Sequence, residues 1–322
     1  MTKEIYSLSP ADQSVLCVTA LIVLYLQNLL STITHMKNNS DDILLSVCCI
    51  TYNHEKYIAQ AIESLVMQKT SFKYEIVIGE DCSTDGTRKI VQCYCEKYPD
   101  KVKMITADTN VGAVNNQVRV LKALKGKYIA MCDGDDYWSD SSKLQKQVDI
   151  LEQNAEVVIC CNYSKVIDDD DKVIYEPSGK EAFEYTYQDL LEGRREETRI
   201  SSAVIRNTPE FKQMLENDWY YQSYGTDVLI KLYMTGHTGG KIFVIPEVMT
   251  CYRLHNGGIY SMVDPRIRKR KLLSDFNIVV KNFPYDRMQR KQLLRKYMQE
   301  FFLFDLREAN VSKAFGTISS LI

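Results

Sequence analysis

Tyr128-Ile129-Ala130-Met131-Cys132-Asp133-Gly134-Asp135-Asp136-Tyr137-Trp138 runs five mostly apolar residues directly into a cluster of carboxylates. A short apolar run bounded by a glycine-containing polar turn reads as a buried strand ending in a loop. The same alternation surrounds it. Leu44 to Ile50, Tyr74 to Gly79, Val102 to Thr106 and Val157 to Cys161 read as further strands. Lys56 to Gln68, Asp85 to Tyr98, Val114 to Leu124 and about Lys143 to Gln153 read as helices between them. In the first of these helices Ile58, Ile62, Leu65 and Val66 share one face. Strands and helices alternating in this way predict an α/β domain with a mainly parallel sheet.

In an open parallel sheet, ligands bind beyond the carboxyl ends of the strands. Thr51-Tyr52-Asn53-His54-Glu55 follows the first strand, Glu80-Asp81-Cys82-Ser83-Thr84-Asp85-Gly86-Thr87 the second, and Asp133-Gly134-Asp135-Asp136 the fourth. Three carboxylate-bearing loops are thus expected around one crevice. A carboxylate can accept an imide N–H such as that of uracil, or bind a ribose diol. A pyrophosphate beside carboxylates requires a hard divalent cation between them, Mn²⁺ or Mg²⁺ with oxygen ligands. Asp133 and Asp135 are spaced to point to the same side of an extended segment, and Gly134 permits close approach. Asp136 and Asp140 read as caps of the following helix.

The second half is more mixed. Tyr163 to Tyr175 reads as a hairpin whose tip, Asp168-Asp169-Asp170-Asp171, is expected to be solvated. Ile242 to Ile245 and Val248 to Leu254 read as strands separated by Pro246. From about Arg266 to Arg307 the chain is basic and amphipathic, a helical lid with membrane-surface docking as the alternative.

The 322 residues are 45% hydrophobic and 25% charged, with a net charge of -2. That balance excludes a nucleic-acid partner, because neutralising phosphates needs a basic surplus. The ten cysteines show no zinc spacing, and several sit in apolar runs, which predicts buried thiols and a cytoplasmic setting. Val15 to Leu26 is nearly all apolar, short of the roughly 20 residues a bilayer span requires. Residues 1–42 are therefore expected to be a dispensable leader or a single membrane anchor, with Met36 as a natural start.

Ile50-Thr51-Tyr52-Asn53, Glu80 to Thr87, Asn110-Val111-Gly112, Gly126-Lys127-Tyr128-Ile129 and Asp133 to Asp136 together resemble, in order and spacing, the signature of family 2 glycosyltransferases. The resemblance covers about Leu44 to Tyr260. It implies a GT-A (Rossmann-like) domain over residues 43–262, followed by a helical extension over 263–322. It also implies inverting transfer from a nucleotide-diphosphate sugar, a UDP-sugar being favoured. Thr51, Asn53, Glu55 and Asp81 would contact base and ribose, with Tyr52 in the same loop. Asp133 would lie near the ribose and Asp135 would ligate the metal. Ile50, Glu80 and Cys82 depart from the family's usual Pro, Asp and Gly, and Asn115 and Asn116 follow Gly112 sooner than usual.

An inverting displacement needs a base for the acceptor hydroxyl. Tyr224-Gly225-Thr226-Asp227 resembles the family's acidic motif at a helix start, which makes Asp227 the expected base, with Glu247 and Asp218 in reserve. Tyr252-Arg253-Leu254-His255 resembles the late Tyr-Arg-x-His segment. From it, His255 is expected at the metal with Asp133 and Asp135, and Arg253 at the diphosphate. The acceptor would be a glycan, a lipid-linked sugar or another hydroxyl. A sugar nucleotidyltransferase would need a Gly-rich, Arg-containing loop where Thr51-Tyr52-Asn53 stands, and a silent glycan-binding relative would need a damaged site.

Overall fold

A computed structural model describes residues 42–178, 180–193, 199–258, 263–308 and 311–322. The expected leader or anchor lies almost wholly outside them. In chain order the first half comprises β1 (Leu45–Thr51), α1 (Ile58–Val66), β2 (Tyr74–Glu80), α2 (Thr87–Lys97), β3 (Val102–Thr106) and α3 (Ala113–Ala123). It continues through β4 (Tyr128–Asp133), β5 (Tyr137–Trp138), α4 (Lys143–Gln153) and β6 (Val157–Ile167). There follow β7 (Val173–Tyr175), β8 (Phe183–Tyr185), α5 (Tyr187–Leu191), a 3-10 turn (Ile200–Ser202) and β9 (Val204–Arg206). Then come α6 (Pro209–Met214), α7 (Asp218–Tyr221), α8 (Thr226–Thr238) and β10 (Lys241–Arg253). The chain closes with α9 (Pro265–Asn282), α10 (Arg287–Lys296), a π turn (Tyr297–Phe301), α11 (Phe302–Arg307) and α12 (Val311–Leu321).

The strands form one sheet in the order β3-β2-β1-β4-β9-β6-β10-β5, with β7 on β6 and β8 on β10. β3, β2, β1 and β4 run parallel, as expected from their alternation with helices. β9 then inserts antiparallel to both β4 and β6, so the sheet as a whole is mixed. β2 is buried along its whole length because helices cover both faces. The two segments flanking Pro246 are a single strand, β10, whose register against β6 shifts between Ile245 and Val248. A proline has no N–H for the ladder, and a bulge accommodates it.

Two apolar cores result, one on each face. Leu45, Val47, Ile58, Ile62 and Tyr74 belong to one; Cys48, Val77, Val118 and Ile129 belong to the other. The second core also takes in Phe276, Val279, Leu293, Tyr297 and Phe301, so the C-terminal helices are built into the same core as the sheet. Cys48, Cys49, Cys132, Cys160 and Cys161 are buried free thiols, and burial pushes each of them up from the ordinary thiol range. Among the described residues, no helix is long and apolar enough to cross a membrane.

Candidate active site

The loops after β1 and β2 are knitted together by their own polar groups. Asn53 adopts the left-handed conformation, with φ 55°. Its N–H donates to Ser83 Oγ at 3.0 Å, while its Oδ1 accepts from Thr84 N at 2.8 Å. Glu55 Oε2 accepts from Gly86 N at 2.9 Å, and Glu55 N donates to Asp85 Oδ2 at 3.1 Å. Asp81 is buried, and its two oxygens accept from Val111 N and Gly112 N, each at 2.9 Å. The Asn110-Val111-Gly112 loop is thereby pinned to the end of β2.

The acidic loop packs tightly against the end of β1. Gly134 N donates to Ile50 O at 2.9 Å, and a Cβ on Gly134 would lie 2.8 Å from Thr51 Oγ1. Asp136 is neither a helix cap nor a surface group. It is buried, hydrogen-bonded by Ser201 Oγ, and accepts from Arg253 N at 2.9 Å. The turn before α4 uses Asp140 instead, which accepts from Ser142 N at 2.7 Å.

Three carboxylates so close cannot all ionise at their ordinary values. Burial, then the charges of Asp135 and Asp227, push Asp133 up to about 7. Burial, then Asp135 and Asp133, hold Asp136 well above its usual range. Asp135 goes the other way: burial opposes its charge, but the hydrogen bond from His255 and the charges of His54 and His255 prevail and lower it.

His255 Nε2 lies 3.0 Å from Asp135 Oδ2, and His54 Nε2 lies 3.7 Å from the same oxygen. Burial lowers His54, with Asp135 opposing. Ligand atoms of His54, Asp135 and His255 fall within 4.8 Å of one another, as do those of Asp133, Asp135 and Asp136. His54 Nδ1 and Thr51 Oγ1 are buried without a hydrogen-bond partner. Two imidazoles and a carboxylate form a donor set that fits a divalent ion. The sequence reading missed His54. The available signal was its place in a strand-end loop in a chain with only four histidines.

The hairpin tip, exposed at Asp170 and Asp171, is also anchored to the site. Asp171 Oδ1 accepts from Arg253 at 2.8 Å, and Asp169 receives the Tyr57 hydroxyl and lies 3.4 Å from Lys56 Nζ. Arg253 also donates to Asp135 O at 3.1 Å, Asp168 O at 3.0 Å and Gln60 Oε1 at 2.7 Å. Its buried guanidinium thus ties the acidic loop, the hairpin tip and α1 together. The tip is thus exposed as expected, and the same contacts let Arg253, which also lines the active-site cavity, hold the acidic loop in place.

Asp227 sits in the first turn of α8, where the helix dipole favours a negative charge. Its Oδ1 accepts from Val228 N at 2.8 Å and its Oδ2 lies 3.9 Å from Lys231 Nζ. Asp275 on α9 holds the preceding turn, accepting from Tyr224 N at 2.9 Å and Gly225 N at 2.7 Å. Burial, then opposing backbone hydrogen bonds and the charge of Asp227, leave Asp275 raised.

A cavity of about 720 Å³ collects these groups: Thr51, Tyr52, Asp81, Asp133, Asp135, Asp227 and Arg253 all line it. Asn53, Glu55 and His255 line an adjoining pocket that shares Tyr52 and His54. The reserve bases lie elsewhere, Asp218 exposed at the start of α7 and Glu247 paired with Lys146 at 2.5 Å.

A family model described as Glycosyl transferase family 2 matches residues 46–209. An uncharacterised protein of Mycobacterium tuberculosis is 34% identical over 221 residues, 67% of this chain and 60% of that protein. The chain therefore spans less than two thirds of that relative. TuaG of Bacillus subtilis, named for teichuronic acid biosynthesis, is 33% identical over 151 residues, 46% of this chain and 57% of its own. Among solved structures, S. aureus TarS in complex with UDP-GlcNAc superposes with a TM-score of 0.62 at 21% identity, covering 87% of this chain and 82% of that one. The mannosyltransferase PcManGT of Pyrobaculum calidifontis, in complex with GDP-Man and Mn²⁺, gives 0.57 at 17% identity, covering 88% and 75%.

Proposed function

The chain belongs to glycosyl transferase family 2 and has the GT-A fold, and from that premise we propose that it is an inverting transferase. It moves a sugar from a nucleotide-diphosphate donor to a hydroxyl acceptor in the synthesis of a cell-surface glycan. The observation that carries this is a single cavity lined by Asp81, Asp133 and Asp135 and also by Asp227 on the separate helix α8. Carboxylates that bind and a carboxylate that removes a proton thus face the same space.

In this reading Thr51, Tyr52 and Asp81 hold the nucleoside, and Asp133 sits at its ribose. Asn53 and Glu55 keep the two strand-end loops together, and Arg253 fixes the acidic loop. A divalent cation, Mn²⁺ or Mg²⁺, held by Asp135, His255 and Asp133 with His54 beside them, would neutralise charge on the diphosphate. Asp227 accepts the acceptor's hydroxyl proton as the oxygen bonds to the anomeric carbon. The bond from that carbon to the diphosphate oxygen breaks, and the nucleoside diphosphate leaves with the electron pair. The names of similar proteins, with UDP-GlcNAc in one and GDP-Man in another, support a nucleotide-sugar donor without choosing between bases.

The test is a panel of nucleotide sugars with Mn²⁺, scored for release of nucleoside diphosphate, on the full chain and on Asp227→Asn. The wild type is expected to cleave one donor. Asp227→Asn is expected to retain nucleotide binding and lose at least 100-fold in turnover, the scale of one general base. Equal turnover in the variant would sink the assignment of the base.

A further inference from the structure

The cavity that holds the acidic cluster continues past Asp227 into the C-terminal helices, where its lining changes character. Leu190, Leu272, Phe276, Val279, Leu293 and Phe301 form that end. Leu272 is half-buried and the other five are buried, so this is an interior chamber and not a surface patch. It begins beside the proposed base: Asp275, whose carboxylate holds Gly225 N at 2.7 Å, is followed directly by Phe276. Lys296 and Glu300 line the same end from α10 and the π turn.

The two ends of the cavity therefore call for different chemistry. A nucleotide diphosphate carried with a divalent cation matches the carboxylates, amides and imidazoles. A bare oligosaccharide would lose water from its hydroxyls against aliphatic and phenyl walls and find few replacement partners. A hydrocarbon chain loses nothing there and leaves water, and pockets of this lining are the usual binding sites for apolar groups. The helix that forms one wall, α9, also carries Arg266, Arg268, Lys269, Arg270 and Lys271 in its first turns. Glu308 pairs with Arg266 and Arg270.

Resting on the transferase reading above, we propose that the acceptor is a lipid-linked molecule whose hydrocarbon chain occupies this chamber while its hydroxyl faces Asp227. The C-terminal helices then belong to the acceptor site, and they select for an apolar chain.

The experiment uses n-alkyl glucosides from methyl to decyl, each below its critical micelle concentration. Binding to the full chain is measured by titration calorimetry, with the nucleotide-sugar panel run in parallel. The expected result is a Kd that falls with each methylene from hexyl to decyl, by at most about fourfold per step, the value for full burial. Leu272→Asp should weaken decyl glucoside at least tenfold, and Leu272→Ala by less. Donor cleavage by the wild type together with a Kd independent of chain length overturns the inference alone. No cleavage of any nucleotide sugar overturns the transferase reading, and the acceptor assignment with it. Chain-length dependence that emerges only after deletion of residues 1–35 would give the chamber to the chain's own apolar segment, and that also overturns it.

Discussion

Gly134→Ala adds one methyl group at the tightest contact of the site. The new Cβ would lie 2.8 Å from Thr51 Cβ, 2.8 Å from Thr51 Oγ1 and 3.0 Å from Ile58 Cδ1. Carbon atoms settle at about 3.5–4.0 Å, so roughly 0.5–1 Å must be found somewhere. Rotating Thr51 moves its hydroxyl but leaves its Cβ in place, and Ile58 is fully buried in the core. The acidic loop has to yield, carrying Asp133 and Asp135 with it. Overpacking of this kind costs about 1–3 kcal/mol, or about 2–4 °C in Tm per kcal/mol for a domain of this size. A displacement near 1 Å costs up to about 100-fold in turnover. Calorimetric Tm and donor-cleavage kcat at saturating Mn²⁺ are the assays. Adding Thr51→Gly to the variant removes two of the three contacts, so it should recover part of the Tm while leaving kcat low. Wild-type kcat and Tm in Gly134→Ala would refute the close approach and the geometry built on it.

Asp275→Asn leaves one of the two N–H groups at Tyr224 and Gly225 without its carboxylate partner, a loss of about 1–3 kcal/mol. It should lower kcat tenfold or more with little change in donor KM, measured by steady-state kinetics; an unchanged kcat would free the Asp227 turn from α9. His54→Ala should weaken Mn²⁺ binding at least tenfold in an EPR titration, because one donor of the set is lost. Unchanged Mn²⁺ binding in His54→Ala would remove His54 from the donor set. Lys143 is fully buried, and burial pushes it down to about 8 from 10.5. The folded state therefore binds fewer protons than the unfolded chain between those values, and this group's penalty, up to about 3 kcal/mol, is present below pH 8 and fades as pH rises towards 10.5. Chemical denaturation of Lys143→Met against wild type should show a stability difference in the variant's favour that shrinks over that window, and a pH-independent difference would contradict it.

The parallel strands and the carboxylates at their ends were legible because each is a local pattern: an apolar run, then a polar turn. The antiparallel insertion of β9 between β4 and β6 was not legible, since pairing partners are chosen by tertiary packing. Residues that assemble the site from far apart were not legible either. Arg253 reaches Gln60 across 193 positions, and Asp275 reaches Tyr224 across 51. The turn at 168–171 is as exposed as its aspartates suggest, but its anchoring to Tyr57 and Arg253 was not legible from them.

A strand-end carboxylate or amide in a sequence has two possible employments, holding a ligand or holding a loop, and both select the same residue types at the same positions. Hydrogen-bond accounting separates them. The side chains of Asn53 and Glu55 and the guanidinium of Arg253 are engaged by protein groups. Thr51 Oγ1 and His54 Nδ1 are buried with no partner, at a cost that a folded protein rarely accepts without a ligand or water to meet it. That accounting gives Arg253, like Asp81 with its two amide donors, a loop-holding role at the cavity wall, and it brings His54 into the site. It also separates Asp136, buried and fixed by Ser201 and Arg253 N, from Asp133 and Asp135, which line the cavity. The acidic cluster is thus two facing carboxylates built on a third, and the third is the one whose removal should disorder the loop before it touches chemistry.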